Sequence, residues 1–460
     1  MRRWRCAVLG AYSSPCWRAA SPAMDQLITQ DDVNQAVTDV AAPERVRALQ
    51  RVGVLCGIVA GAWLGAAEVP TKLVSAGISP VLISLGMVMG VFLGRWSLPA
   101  ILRGTSGITA DIVEAPHLVI WAVIAGCLWS VANTLTIFAI RDLGLSIAFP
   151  LWNTNALIGI LWGVLFFGEL RNADRRRWTA VLGGATVIFL GGMLLAKASA
   201  SEISRHAAAR GIAAALGAGV LWGTMYIPYR KAYISGMNPL SFVSFFTIGE
   251  LGMMTALAAS YMGGLRNMYS QIVGARHLLF WLLAAGFVWV IGDIFQQFAV
   301  KYVGVSRGIP ISNSNQLWGL LWGIFAFQEL RGWGHASFRA AIYGSLLMAA
   351  GLAAICMSAA SRSEYSKWCE AAERERRRYG IDAGFVRRGL AGVAKEERHP
   401  RKWIDWILIV VATSAFIWTG ISARVPALNL NWTAVTVLAL LSLVLLSISV
   451  SSLWKLTRFN

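Results

Sequence analysis

Long apolar stretches recur along nearly the whole chain, and they constrain its fold more than any other feature. In lipid, every backbone polar group must be hydrogen bonded within the segment, and a spanning helix needs about 20 mostly apolar residues. Charged residues make up only 14% of the sequence, against about 25% in soluble domains. We therefore predict an all-α polytopic membrane protein. Its twelve predicted spans are residues 52–74, 79–101, 117–140, 144–168, 178–197, 210–231, 239–262, 278–300, 304–328, 338–360, 403–421 and 431–454.

The basic residues predict how these spans are oriented. If the N-terminus is cytoplasmic and every window crosses, the cytoplasmic side carries 31 Lys and Arg residues and the outer side carries 10. Because cytoplasmic loops are rich in Lys and Arg, we expect both termini inside, in the cytoplasmic membrane. The basic residues cluster between apolar segments, which argues against nucleic-acid binding despite a net charge of +18.

The six cysteines are scattered, with no CxxC or Cys/His spacing. We therefore expect neither a metal site nor a disulfide framework. No cofactor is expected, although an ion gradient, with H⁺ favoured, is a candidate energy source.

Residues 1–50 are interpreted as an N-terminal cytoplasmic extension. Within it, residues 1–23 fit either a stretch ahead of the natural start at Met24 or a cleaved signal peptide.

An internal repeat at an offset of 160 residues is the second constraint. The segment RDLGLSIAFPLWNTNALIGILWGVLFFGELR (141–171) aligns without gaps with KYVGVSRGIPISNSNQLWGLLWGIFAFQELR (301–331), and 14 of 31 positions are identical. Each copy, 51–200 and 201–360, holds five spans, so the second copy must enter the membrane from the opposite side. Inverted repeats of this kind are typical of secondary transporters. A duplicated membrane protein that does not transport is the alternative.

At these residues the chain resembles the drug/metabolite transporter superfamily, whose members carry two five-helix repeats. Within that superfamily, GVSRGIPISNSNQLWGLLWGIFAF (304–327) and its counterpart LSIAFPLWNTNALIGILWG (145–163) resemble the glucose/ribose porter branch of sugar uptake proteins. The resemblance covers about residues 51–360. It implies ten helices around a central cavity and transport of a sugar or a similar small polar metabolite.

A repeated motif, P-x-x-N-x-N, supplies the candidate substrate site. Pro150 and Pro310 are expected to interrupt helices and free backbone carbonyls. Amide side chains both donate and accept hydrogen bonds, which suits a polyhydroxylated ligand. Hydrogen bonding between helices is the alternative role. The candidate substrate-binding residues are Asn153, Asn155, Asn313, Asn315 and Gln316, with Trp152 and Tyr226 beside them.

Three acidic residues within predicted spans are candidates for proton coupling: Asp293, Glu68 and Glu250. Intramembrane carboxylates are costly and mark functional sites, because burial favours their protonated form. Structural ion pairing is the alternative, for example Glu68 with Lys72 one turn later. By contrast, Glu169 and Glu329 occur in both repeats as E-L-R and are expected to stabilise a turn at the membrane surface.

The last hundred residues lie outside the repeat. Residues 361–402 form a basic linker, expected to be a solvated cytoplasmic helix against anionic headgroups. Residues 403–460 are expected to form an accessory two-helix hairpin for dimer contact or partner docking.

These features together predict a secondary active transporter of a sugar or similar small polar metabolite, working by alternating access and coupled to protons. The rival hypotheses are a metabolite or drug exporter with the same fold and a non-transporting membrane scaffold or sensor. An enzyme is not expected, because the sequence shows no nucleophile–base pair, HExxH motif or phosphate loop. The expected partners are the solute, the lipid bilayer and a second copy of the chain.

Overall fold

The structure is a computed structural model that describes residues 43–67, 69–70, 78–143, 148, 151–170, 173–198, 205–328, 335–358, 362–392, 401–424 and 430–459. Residues Arg47–Asn460 form one compact unit, and all contacts described below lie within it. Of the other unit, Met1–Val46, only residues 43–46 are described, and they begin the first helix.

All regular secondary structure in the described ranges is helical. The helices are α1 (Pro43–Ala66), α2 (Pro80–Leu102), α3 (Thr105–Glu114), α4 (His117–Leu143), α5 (Asn155–Phe167), α6 (Arg175–Trp178), α7 (Gly184–Ala198), α8 (Arg205–Ile234), α9 (Pro239–Met262), α10 (Leu265–Gly274), α11 (Leu279–Val303), α12 (Val305–Ser312), α13 (Asn315–Leu321), α14 (His335–Cys356), α15 (Arg362–Tyr379), α16 (Ala383–Ala391), α17 (Trp403–Ile421) and α18 (Trp432–Thr457). Two π-helical turns, Thr179–Gly183 and Trp322–Ala326, join α6 to α7 and extend α13.

Nine helical segments among the described residues are long and apolar enough to cross a membrane, and α5 and part of α14 are shorter apolar helices. The prediction of a polytopic helical membrane protein is confirmed. Exposed tryptophans lie near both ends of the last two long helices, as expected where a helix crosses the two membrane interfaces. These are Trp403, Trp406, Trp418, Trp432 and Trp454.

Two of the predicted windows, 144–168 and 304–328, are not continuous helices. The chain turns at residues 153–154 before α5, and again at residues 313–314 between α12 and α13. At both turns the α-helical hydrogen-bond pattern is interrupted. The N–H groups of Thr154 and Ser314 donate to carbonyls three residues earlier, instead of four as in an α-helix. The two discontinuities occupy corresponding positions of the sequence repeat.

The position of the second discontinuity corrects the expectation for Pro310. This proline lies inside α12, which continues to Ser312. Proline lacks the N–H that an α-helix bonds to its preceding turn, yet α12 continues for two residues beyond Pro310. Pro150 lies outside the described residues.

Glycines bring the first helix of each sequence repeat against the discontinuous segment of the other. A Cβ atom on Gly61 of α1 would lie 2.0 Å from Ser314 Oγ, and one on Gly219 of α8 would lie 2.5 Å from Thr154 Oγ1. Gly61 corresponds to Gly219 in the repeat, and Ser314 corresponds to Thr154. The same contact is therefore made twice, with the two halves exchanged.

The last helix of each repeat packs directly on its counterpart. A Cβ on Gly184 of α7 would lie 2.7 Å from the carbonyl oxygen of Gly351 in α14, and one on Gly191 would lie 2.6 Å from that of Gly344. Because the residue numbers run in opposite directions along the contact, α7 and α14 are antiparallel.

The linker helices α15 and α16 pack on the bundle, so the expectation of a solvated linker helix is wrong for these residues. The buried linker residues are Tyr365, Trp368, Ala371, Ala372, Ile381, Phe385, Val386 and Ala391. Gly236, at the end of α8, has φ +94°, and a Cβ there would lie 2.9 Å from Phe385 O. We call this side of the bundle, where residues 230–238 and 300–307 lie near α15 and α16, the linker end, and the opposite side the far end.

The last two helices dock on different parts of the bundle. Asp405 at the start of α17 accepts a 2.7 Å bond from Thr105 N–H, and the Phe416 ring lies 5.4 Å from that of Phe287 in α11. In α18, the carbonyl oxygen of Ser442 accepts a 3.1 Å bond from Trp63 Nε1 of α1. Each helix therefore covers a separate surface of the bundle.

Candidate functional site

A chain of hydrogen bonds joins the two discontinuous segments near the middle of the bundle. Asn313 Nδ2 donates to Asn155 Oδ1 at 3.0 Å, and Asn155 Nδ2 lies 3.3 Å from Tyr226 Oη of α8. All three side chains are buried. We call Asn155, Asn313 and Tyr226 the amide bridge. It brings together three of the residues predicted from sequence, one from each of three helical segments.

The other predicted amide and aromatic residues lie close by in the sequence and are largely enclosed. Asn153, Gln316 and Trp152 are each about 7% exposed. The Trp152 ring meets that of Trp222 edge to face, with centroids 6.0 Å apart. Within the described chain, Asn315 Oδ1 and Gln316 Nε2 are buried without a hydrogen-bond partner.

A second buried network is charged. Arg95 of α2 donates from Nη1 to Glu250 Oε2 at 2.7 Å and from Nη2 to Asp293 Oδ2 at 2.8 Å. The three side chains are at most 1% exposed. We call them the charged triad. It brings two of the three predicted proton-coupling residues onto one guanidinium, and with both carboxylates ionised its formal net charge is −1.

Neighbouring groups hold the charged triad in place. Gln297 Nε2 donates to Asp293 Oδ1 at 2.8 Å, and Tyr233 donates to Gln297 Oε1 at 2.5 Å. The Arg95 guanidinium lies 4.2 Å from the centroid of the Phe246 ring. Burying three charges costs several kcal/mol per ion unless each one is paired, so this arrangement is stable only as a complete set.

The sequence reading overlooked Arg95, although one signal was present. It is the lone charge in the apolar run PVLISLGMVMGVFLGRWSLPAIL. Charges within spans pair with one another or mark a functional site. The pairing itself could not be deduced, because the partners lie 155 and 198 residues further along the chain.

The third proton-coupling candidate, Glu68, lies outside the described residues, as does its proposed partner Lys72. Glu329 is outside them as well.

The amide bridge and the charged triad lie at similar depth. Asp293 is ten residues from the end of α11 and Tyr226 is eight from the end of α8. At 1.5 Å per residue both are about 12–15 Å from the linker end, roughly half of a hydrocarbon core of about 30 Å. Adjacent residues of α11 lie beside the two networks, since Gln297 donates to Asp293 of the charged triad, and Gln296 donates at 2.7 Å to Ser312, the neighbour of the bridge residue Asn313.

Glu169 is fully buried at the linker end, where it caps the start of α12 instead of stabilising only a local turn. Its carboxylate accepts from the N–H groups of Val305 and Ser306, at 3.1 and 2.9 Å, and from the Ser306 hydroxyl. A carboxylate at a helix N-terminus satisfies orphan N–H groups and the helix dipole. Gly304 permits this approach with φ +84°, because a Cβ would lie 2.8 Å from the carboxylate.

Arg230 joins several helices at the linker end. Its Nε lies 3.1 Å from Glu169 Oε1, and its guanidinium lies 4.1 Å from the centroid of the Trp368 ring of α15. Its Nη1 donates to the backbone oxygens of Val300 and Lys301. One buried side chain thus connects α8, the start of α12, the end of α11 and the linker.

The linker helix carries its own ion pairs. Glu373 accepts from Arg376 Nε at 2.7 Å and from Arg377 Nε at 2.8 Å. The hydrogen bond from Arg376 holds the pKa of Glu373 below its usual range. Next to the buried face of α15, burial raises the pKa of the Cys369 thiol to about 11.

Fold and site together define a polytopic helical membrane protein in which an amide bridge between discontinuous helical segments and a charged triad on three continuous helices are buried within the bundle, as in carriers of small solutes. A family model described as "Sugar transport protein" matches residues 77–198 and 215–377, which is more than half of the chain. The chain therefore belongs to the sugar transport protein family, and the resemblance seen in the sequence is confirmed.

Individual relatives agree with the family match. A Listeria innocua protein named as a sugar uptake protein is 26% identical over 210 residues, covering 45% of this chain and 68% of the relative. A Listeria monocytogenes protein with the same kind of name matches to the same extent. A Streptococcus pyogenes serotype M1 protein, also named for sugar uptake, is 35% identical over 72 residues, which cover 16% of this chain and 24% of that protein.

Proposed function

We propose that this protein is a secondary active transporter that carries a sugar or a similar small polar metabolite across the cytoplasmic membrane by alternating access. The observation that carries the proposal is the amide bridge, in which uncharged side chains from two discontinuous helical segments meet in the centre of the bundle. Such groups can exchange hydrogen bonds with sugar hydroxyls without requiring a charged substrate. The names of the relatives support a sugar as the solute.

Alternating access follows from two inverted five-helix repeats, 51–200 and 201–360. Two observations support the inversion. The contacts of Gly61 and Gly219 are the same contact with the halves exchanged, as a two-fold axis requires. Corresponding helices α7 and α14 run antiparallel, as an odd number of spans per repeat requires. When related halves exchange shapes, the bundle opens first to one side and then to the other.

The linker end is the cytoplasmic side in this proposal, with both termini inside. Twelve of the Lys and Arg residues belong to residues 361–402, which carry the linker helices. Basic segments stay on the cytoplasmic side. The closure by Glu169 and Arg230 then corresponds to a conformation shut toward the cytoplasm, and these contacts must break for the solute to leave inward.

Proton coupling is assigned to the charged triad. Two carboxylates share one arginine. One proton would neutralise the net charge while Arg95 stays paired with the other carboxylate. Because neutral groups cost less to bury than charged ones, protonation can change the relative stability of the two transport conformations.

Uptake of labelled sugars into proteoliposomes, with and without an inward proton gradient, tests this function. We expect accumulation only with the gradient, and loss of uptake in Asn155→Ala and Asn313→Ala. Asn267→Ala is the matched control, since this amide is exposed on α10 and donates to Gly263 O. Wild-type liposomes that take up no sugar, or uptake that survives both bridge substitutions, would refute the proposal.

A further inference from the structure

The two sides of the amide bridge along the bundle axis carry different side chains. Trp152 and Gln316 each lie three residues from a bridge asparagine, and Trp222 lies four residues from Tyr226. Within α8, Trp222 lies about one helical turn before Tyr226 and therefore toward the far end. The Trp152 ring meets that of Trp222, so Trp152 lies on the same side of the bridge. Gln316 follows Asn313 in α13, which runs away from the linker end, so it too lies at this level, on the far-end side of the bridge.

This level combines aromatic surface with unsatisfied donors. The rings of Trp152 and Trp222 meet at 89° with centroids 6.0 Å apart. Within the described chain, Trp222 Nε1 and Gln316 Nε2 are buried and have no hydrogen-bond partner. A buried donor left unpaired costs about 1–3 kcal/mol, so two at one level indicate a polar ligand that pairs with them.

The linker-end side of the bridge differs. Ser312 corresponds to Trp152 in the repeat, and it already accepts a 2.7 Å hydrogen bond from Gln296. A ring is therefore present at this repeat position only on the far-end side. The two sides of the bridge therefore differ chemically, although the repeats that form them are related in sequence.

We infer that Trp152, Trp222 and Gln316 form a subsite for the ring form of a sugar, entered from the far end. The inference rests on the proposed function. A pyranose or furanose ring presents a face of C–H groups, which fits an indole surface, and hydroxyls at its rim, which pair with amide and indole N–H groups. An open-chain polyol with the same number of carbons has the hydroxyls but not the flat face.

The test compares uptake of labelled D-glucose and D-sorbitol by the full-length protein in proteoliposomes. We expect the wild type to prefer glucose by about tenfold, in line with the energy of one aromatic stacking contact. Trp152→Ala should bring this ratio below about threefold through a higher KM for glucose, and Trp152→Phe should restore most of it. Trp222→Phe keeps the ring but loses the donor, so it should raise KM for both solutes and leave their ratio unchanged.

Trp162→Phe is the control, because Trp162 Nε1 bonds Thr224 on a partly exposed face of α5. Thermal unfolding of each variant shows whether it is folded, and Trp152→Phe keeps the test valid should the alanine variant unfold. Equal uptake of sorbitol and glucose by the wild type, or an unchanged ratio in folded Trp152→Ala, would overturn the subsite. Absence of any sugar uptake by the wild type would instead refute the proposed function.

Discussion

The amide bridge and the charged triad lie at the same depth but differ in origin. Asn155 and Asn313 belong to a motif present in both repeats, whereas Asp293 corresponds to Asn133 and Glu250 to Val91. The amide bridge is uncharged and its motif occurs in both repeats, which fits solute binding, because both transport conformations must hold the solute. The charged triad occurs in one copy, which fits proton coupling, because coupling requires the two conformations to differ. The comparison separates binding from energy supply, and the predictions for Asp293, Glu250 and Asn313 test that separation.

The largest effect is expected for Arg95→Leu. This change leaves two carboxylates buried without a cation, and breaking a buried ion pair costs about 3–5 kcal/mol. We expect loss of folded protein in size-exclusion chromatography and thermal unfolding. The triple variant Arg95→Leu, Glu250→Gln, Asp293→Asn removes the unpaired charges and should regain much of the stability. Arg177→Leu, which removes an exposed pair with Asp174, is the control and should unfold like the wild type.

The second prediction concerns Asp293→Asn and Glu250→Gln. If the triad couples protons, either change should abolish accumulation driven by a proton gradient and leave exchange of labelled for unlabelled sugar within about threefold of the wild type. Counterflow and gradient-driven uptake in the same liposomes separate the two activities. Gradient-driven uptake that persists in both variants contradicts the coupling assignment.

The third prediction concerns Asn313→Ala at the amide bridge. Loss of one hydrogen bond with a buried partner costs about 1–3 kcal/mol, so uptake and exchange should fall together by about ten- to hundredfold. The ratio of uptake with the gradient to uptake without it should not change. A variant that loses coupling while exchange stays normal would show that the bridge and the triad are not functionally separate.

A smaller effect is expected for Trp368→Ala at the linker end. It removes a ring 4.1 Å from the Arg230 guanidinium, a contact worth about 1–2 kcal/mol. The linker helix should undock more often. In a variant with the other cysteines replaced, maleimide labelling of Cys369 should then be faster, with Trp406→Ala on the lipid-facing side of α17 as control. Unchanged labelling would mean that the cation–π contact does not hold the linker in place.

The smallest effect is expected for Glu373→Gln. The pKa of Glu373 is lowered in the folded protein by Arg376. Its contribution to stability is therefore present at neutral pH and is lost as the pH falls through the folded pKa. Because the pair is at the surface, thermal unfolding at pH 7 should differ from the wild type by at most about 0.5 kcal/mol, and the difference should vanish in acid. A larger difference would place this pair within the structural core of the linker.

Much of the fold follows from local sequence. Apolar windows located most of the spanning helices, because a helix in lipid needs no partner to satisfy its backbone. The N-x-N repeat singled out Asn155 and Asn313, which the structure joins. The features that the sequence did not predict depend on contacts between residues far apart in the chain. Arg95 draws its partners from two other helices, and Glu169, which resembles a surface turn in sequence, is buried because α12 begins beside it.

The linker, residues 361–402, also shows that a sequence does not reveal which helices will dock on one another. Its charges suggested a solvated helix, but a few apolar side chains, such as Trp368 and Phe385, are enough to dock it when a bundle surface is available. A sequence of this kind reveals how polar a helix is on average, whereas docking depends on which surface the rest of the fold presents.

The amide bridge pairs asparagines that do not correspond to each other. Asn155 corresponds to Asn315, and Asn313 corresponds to Asn153, so exchanging the halves converts this bond into one between Asn315 and Asn153. In the present structure Asn315 Oδ1 has no partner among the described residues. A carrier that trades one pairing for the other would keep the same number of central bonds throughout its cycle. Neither end state would then be a thermodynamic trap, and a modest solute or ion gradient would be enough to set the direction of flow.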